Sequence, residues 1–576
     1  MSFTNNRKNE ISEEAAFGGI FCCHFPCVVL GQIEIVCPLP NAIIQKVSDS
    51  GYLRILCRSN NTKNVSLKIA DGSGDDISGF GWHDLSFYHN IVDTAFTIPV
   101  LGNFTVLWRN LDMSADSGII PGLAVGHVFG IAGQSNAQGW SYPNYIPPQG
   151  DIRMLLYDFA WEIGRDPTGG KWESPWIQMS NTLQKLLNDS LPIGLVNVAV
   201  GGTGLATRGS SGYWQRNDAL HSDTSTTYGK AMVRFLKAGS RFEAMFWIQG
   251  ESDAVGVTVV QYDSAFMQLI NNFEEDLREP VKIFHLQIGG QNGNPDKYDW
   301  GVIRDAQRNL PYSTLVGTAV GAPVGFDGIH YAQSTEIMVG DRFAGTIAKL
   351  LHNVLNNLYP PLLPKNFAVL TQCTTGDPYK GYKIVLQCTR GDSPVQLRSL
   401  DTLRGFQIRA NGQFIDTSNI YGKVETNDPS KIDIFSRDSS FSPKNDLKLS
   451  YAINADLSNV NVSDNDTSTT LPNYLVSFMD IPVLASADVS YSFFVSPNVP
   501  NPFGWQTSFT VDLIKARSVR YTIYDLEGKN IFSKEEGLLS EGSHLVQITK
   551  GHLAPGIYEI VFSIGNDSKT FKIVIL

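Results

Sequence analysis

Between residues 126 and 358 short apolar runs alternate with longer amphipathic stretches, and few architectures accept that alternation. The runs 128–131, 193–200, 244–248, 283–288 and 314–318 read as strands. Helical periodicity fills 176–187, 230–238, 259–277 and 335–355. Strands that alternate with helices imply a mostly parallel sheet covered on both faces. Such sheets bind ligands outside the carboxyl ends of their strands.

Three polar segments follow strands of this set. Gly133-Gln134-Ser135-Asn136 closes the first, Trp247-Ile248-Gln249-Gly250-Glu251-Ser252-Asp253 overlaps the third, and Asp327-Gly328-Ile329-His330 follows the last. They supply a nucleophile, an amide donor and an acid–histidine pair. A serine hydroxyl is a weak nucleophile at neutral pH, so it needs a base within reach, and the base needs a partner that fixes its tautomer. Ser135 is the candidate nucleophile and His330 the candidate base. Asp327, three residues earlier across a glycine turn, is its first candidate partner, with Asp253 second. Glu251 reads as a residue that braces its loop. Fixed donors must also meet the oxyanion of a tetrahedral intermediate. Three are on offer: the Ser135 backbone N–H, an N–H of Gly201 or Gly202 (with Gly202 preferred), and the side-chain amide of Gln249.

These motifs carry a family resemblance. Gly133 to Gly139, Gly201-Gly202-Thr203, the segment Trp247 to Asp253, and Asp327 to Tyr331 together resemble the SGNH hydrolases. Within them the chain is similar to the sialic-acid-specific and xylan-type carbohydrate acetylesterases over about residues 126–355. The resemblance implies a three-layer α/β/α, flavodoxin-like fold. It also implies a Ser135–His330–Asp327 triad, with the Ser135 and Gly202 N–H groups and Gln249 as the oxyanion hole. Gln249 stands where many SGNH enzymes carry Asn, and this esterase branch uses Gln. Tyr213 and Trp214 follow the glycine block and are expected near the sugar, together with Gln134; Trp140 and Tyr142 fall after the nucleophile on the same rim. His221 and His285 show no partner in the sequence and read as structural. The implied activity is removal of acetyl groups from a sugar without metal or cofactor.

The flanks read as β structure. Residues 32–125 suggest a small β-sandwich, 365–495 a β-rich domain beyond Pro360-Pro361 and Pro364, and 497–576 a further β unit. The expected architecture is multidomain, a central α/β/α hydrolase flanked by β-sandwich domains. The last unit resembles the type A C-terminal sorting domain of the type IX secretion system. Pro500-Asn501-Pro502-Phe503, the Tyr524 to Lys529 turn and Leu553 to Tyr558 carry that resemblance. It implies passage through the periplasm, a type IX machinery as partner, and release or attachment at the cell surface of a Bacteroidetes-type bacterium.

Residues 1–31 read as a signal segment. The apolar stretch 17–31 is about 15 residues long, short of the roughly 20 that span a bilayer, so no integral span is expected. Beyond it lie Cys37, Cys57, Cys373 and Cys388, which permit the local disulfides Cys37–Cys57 and Cys373–Cys388 or four free thiols. A net charge of −11 argues against nucleic acid as a partner. No His/Cys cluster has metal-ligand spacing.

Overall fold

The structure, a computed structural model, describes residues 33–575 apart from 294–298, 486–492, 499–502 and scattered shorter stretches. The expected signal segment and Tyr142 lie outside the described residues.

Six parallel strands position the site: β1 (Ser117–Gly133), β2 (Ile152–Leu155), β3 (Ile193–Asn197), β4 (Ala244–Ile248), β5 (Ile283–Gln287) and β6 (Ser313–Thr318). Their order across the sheet is β2-β3-β1-β4-β5-β6. The chain leaves β1 for one side, then returns to β4 and builds the other. Connections therefore diverge at the carboxyl end of β1, which opens a crevice there.

Strands β3, β4 and β5 are buried at every residue. Their two-residue period divides the side chains between two cores. Ala244, Phe246 and Ile248 pack with α2 (Trp176–Leu187) and α6 (Gln333–His352). Met245 and Trp247 face the other way, toward α3 (Thr227–Lys237), α4 (Val259–Leu277) and α5 (Asp299–Arg308). A capping box of Thr258 and Gln261 starts α4.

The sequence reading locates β1, β3 to β6 and four of these helices, and misses β2 and α5. α5 escapes because its buried face mixes Trp300 and Ile303 with Arg304 and Gln307, which breaks the apolar period. Arg304 is wholly buried and donates from Nη1 to the carbonyls of Ala452 and Asn454, at 2.8 Å each. It thereby ties the parallel-sheet region to the β-rich region that follows. That region forms a nine-stranded sheet with its own core.

β1 is long because it serves two structures. Its first half pairs with Asn103–Asn110 and with Ile43–Val47, and its second half with β3 and β4. One 14-stranded sheet thus runs from the N-terminal strands into the parallel region. The expected boundary at residue 125 falls inside this strand. At the other end of the chain, a three-stranded and a four-stranded sheet enclose a separate core that includes Phe509, Val511, Tyr521 and Phe562.

The four described cysteines are free thiols, so the structure does not form the two local disulfides. Cys37 lies across from Leu56 rather than Cys57, and its thiol faces the Arg54 carbonyl. Cys388 is buried in the nine-stranded sheet's core. Burial pushes the Cys37, Cys57 and Cys388 thiols up to about 12, which suppresses thiolate chemistry. Among the described residues no helix is long and apolar enough to cross a membrane.

Candidate active site

Gly133 ends β1 with φ +129, and a Cβ there would lie 2.1 Å from the Ile248 carbonyl oxygen. Only glycine lets β1 and β4 approach so closely just before they part. The Gln134 N–H donates to the same carbonyl at 2.9 Å. Gln134 then turns the chain into the single helical turn α1 (Ser135–Gln138). Ser135 is its first residue and is 8% exposed. Its backbone N–H finds no acceptor among the described residues.

The loop after β3 approaches from one side. A side-chain carbon on Gly201 would lie 3.4 Å from Cβ of Ser135, so this glycine permits close approach to the serine. The Gly201 N–H is already used: it donates to Oε1 of Gln138 at 2.7 Å. The Gly202 N–H has no acceptor among the described residues. Asp253, fully buried, clamps the continuation of this loop. Its carboxylate accepts from the backbone N–H groups of Leu205, Ala206 and Thr207 at 2.7–2.9 Å.

The histidine loop arrives from beyond β6. Nδ1 of His330 lies 2.6 Å from Oδ2 of Asp327. The other Asp327 oxygen accepts from the N–H groups of Ile329 and His330 at 3.1 and 3.0 Å. Burial raises the Asp327 carboxyl, but the bonds from the His330 ring and these two N–H groups outweigh it and hold the group below its ordinary range. An ionised Asp327 only accepts, so Nδ1 carries the hydrogen and Nε2 keeps its lone pair. Asp327 is therefore the carboxylate that meets the ring, while Asp253 is committed elsewhere. Trp140 stacks on His330 with ring centroids 5.6 Å apart and planes 24° apart. Behind the loop, Asn292 donates to the Gly328 carbonyl at 2.8 Å and Gln291 to that of Ala455 at 2.7 Å, so the β-rich region buttresses the histidine loop.

Asn136 joins the three segments. Its Nδ2 donates to Oε1 of Glu251 at 2.7 Å, and its Oδ1 accepts from the Tyr331 N–H at 3.2 Å. Glu251 braces its loop, and burial favours its neutral form against the bond from Asn136. The sequence offered one signal for Asn136: it directly follows the nucleophile. Nothing in the sequence pointed to Trp140 as a neighbour of the histidine ring.

Gln249 is fully buried beneath the serine turn. Its Nε2 lies within hydrogen-bonding distance of Asp253 Oδ2 (2.5 Å), the Thr203 carbonyl (3.2 Å) and Gln134 Oε1 (3.3 Å). Two residues expected at the sugar are buried in the structure. Gln134 and Trp214 are each 3% exposed. The Gln134 side-chain oxygen, Oε1, accepts from the Gly250 and Ser252 N–H groups, because that turn offers more donors than its own backbone can satisfy. The Trp214 indole donates to the Gly133 carbonyl at 3.2 Å and packs edge-on against Trp247. Tyr213 stays half-exposed, with Arg208 over its ring. His221 and His285 are structural: His221 pairs with Asp276, and His285 bonds the Gln307 carbonyl.

Residues 125–349 match the family described as carbohydrate esterase, sialic acid-specific acetylesterase. Residues 499–576 match the secretion system C-terminal sorting domain. A probable carbohydrate esterase of Arabidopsis thaliana is 27% identical over 240 residues, covering 37% of this chain and 86% of the relative. A solved carbohydrate acetylesterase from Xanthomonas citri superposes with a TM-score of 0.56 at 14% identity, over 77% of this chain and 97% of that one; this is a likeness of fold.

Proposed function

The chain carries a carbohydrate acetylesterase domain and a type IX sorting tail that directs it to the medium or the cell surface, and on that premise we propose that it removes O-acetyl groups from sugars through an acyl-serine intermediate. The fold in this reading is the SGNH type, and the strand order with Ser135 at the switch point supports it.

Ser135 Oγ attacks the acetyl carbonyl carbon as its proton passes to Nε2 of His330. Asp327 holds the Nδ1–H tautomer and stabilises the imidazolium. The carbonyl bond re-forms, the sugar oxygen leaves, and it takes the proton from His330. A water molecule then loses its proton to the same nitrogen and attacks the acyl-serine; the acyl–Oγ bond breaks, Ser135 Oγ takes the proton back from His330, and acetate leaves. The backbone N–H groups of Ser135 and Gly202 serve the oxyanion, each worth about 2.7–4 kcal/mol by the usual loss on removal. The sequence suggested Gln249 as a third donor. Its two N–H groups already face three acceptors, so in this reading it holds the floor beneath the hole. Tyr213 remains the aromatic contact for the sugar.

The observation that carries the proposal is the His330–Asp327 pair at 2.6 Å, on a loop tied at Tyr331 to Asn136, the residue next to Ser135. Ser135→Ala tests it. The variant should fold as wild type and release no acetate from any of a panel of acetylated glycans, and a serine-directed phosphonate should label wild type at Ser135. Hydrolysis surviving in the alanine variant would remove the central claim. Acetyl esters should also outrun butyryl and longer esters; a rate rising with chain length would point to a lipase.

A further inference from the structure

At the opposite end of the parallel sheet, three side chains from separate stretches of the chain converge. His127 lies within β1, Glu243 immediately precedes β4, and His352 is the last residue of α6. One ligating atom from each lies within 4.8 Å of the other two. We propose that His127, Glu243 and His352 bind one divalent transition-metal ion, zinc by its donor set, as a staple between the sheet and its last helix.

The geometry suits a metal in four ways. The carboxylate stands between the imidazoles, with Nδ1 of His127 against one oxygen and Nε2 of His352 2.5 Å from the other. That Nε2 is buried and lies against the carboxylate, so both rings already turn a nitrogen onto Glu243. The two rings meet edge to face at 85°, with centroids 5.2 Å apart, so their nitrogens reach a shared point from different directions. Tetrahedral ligands do the same. The side chains are sheltered, at 2%, 11% and 25% exposure, and the opening at His352 offers an entry path.

The chemistry selects the ion. Two neutral imidazoles and one carboxylate are a common zinc set, completed by water, whereas magnesium and calcium prefer all-oxygen shells. A divalent cation would also offset the charge of the sheltered Glu243 carboxylate that both rings face. Nothing in the sequence spacing shows this group, because the fold alone assembles it. The Glu243 N–H donates to the Val128 carbonyl at 2.8 Å, which fixes the acid beside the strand that carries His127. The ion would pin β1, the entry to β4 and the end of α6. It lies about 20 Å along β1 from the serine turn, so it takes no part in ester cleavage.

The test uses the full chain, stripped with EDTA and titrated with Zn2+ by calorimetry and thermal melting, with Mg2+ as the control. Wild type should take up one Zn2+ and melt at a higher temperature with it; Mg2+ should do neither. Glu243→Gln and His352→Ala should each weaken zinc binding by roughly 10–100-fold or more and lose the melting shift, while acetyl-ester hydrolysis stays at the wild-type rate. His352 is partly exposed at a helix end, so its variant gives a result even if the Glu243 variant does not fold. Wild type and His352→Ala that bind zinc equally, or a wild type that binds none, would overturn the proposal.

Discussion

Replacing Asn136 with alanine tests how the three site loops are held. The substitution deletes a donor to Glu251 Oε1 at 2.7 Å and an acceptor for the Tyr331 N–H at 3.2 Å. Both partners stay behind in a dry environment, since Glu251 is 9% and Tyr331 1% exposed. The second Glu251 oxygen already lacks a hydrogen bond among the described residues. An unsatisfied buried group costs about 1–3 kcal/mol, so the two together cost about 2–6 kcal/mol of local stability. The Tyr331 link also sets the position of the neighbouring His330. A displacement of about 1 Å there lowers kcat/KM by roughly 100-fold. The assay is the urea midpoint for loss of acetyl-ester hydrolysis, read beside kcat/KM without urea. Glu251→Gln is the control, because its side-chain carbonyl still accepts from Asn136 and no ionisable group remains at that position. Its midpoint should stay within about 1 kcal/mol of wild type. An Asn136→Ala protein with the wild-type midpoint and kcat/KM would refute the clasp.

Asp327→Asn should lower kcat by about 10⁴-fold, because an amide can donate to Nδ1 and reverse the tautomer of His330. Burial raises the Asp327 carboxyl and its hydrogen bonds bring it below the ordinary 3.8, so its stabilisation is complete above about pH 4 and lost as pH falls through the lowered folded value; the asparagine variant should lack that acid step in a pH–melting series. Asp263 has the opposite sign. Burial, then the charge of Asp305, pushes it up to about 8, so wild type loses stability as pH rises from about 4 to 8. Asp263→Asn should leave stability at pH 3 unchanged and raise it progressively toward pH 8; an equal gain at both ends would exclude titration as the cause. Trp214→Phe should cost about 1 kcal/mol in urea unfolding with KM unchanged, whereas Tyr213→Ala should raise KM for an acetylated sugar with little effect on the midpoint. Equal effects on KM would return Trp214 to the substrate.

The sequence by itself determined the periodic elements and the local chemistry. β4, α2 and α4 coincide with the runs read from the sequence, because their apolar periods belong to a single segment and need no partner to be recognised. The Asp327–His330 pair was legible for the same reason: three residues and one glycine suffice to bring the groups together. Tertiary structure decided everything that depends on residues distant in sequence. Gln134 and Trp214 sit in motifs that suggest contact with substrate, yet the approach of β1 to β4 and the fold of the glycine loop bury them, and burial obliges their polar atoms to find partners inside. Residue 125 lies inside a strand because one strand can pair with different neighbours along its length, and hydrogen bonds across a sheet leave no mark on the strand that makes them. α5 and the His127–Glu243–His352 group were invisible for a related reason. Arg304, Gln307 and His127 are buried polar side chains, and His352 a partly buried one, whose partners come from elsewhere in the chain, and only the folded molecule brings those partners to them.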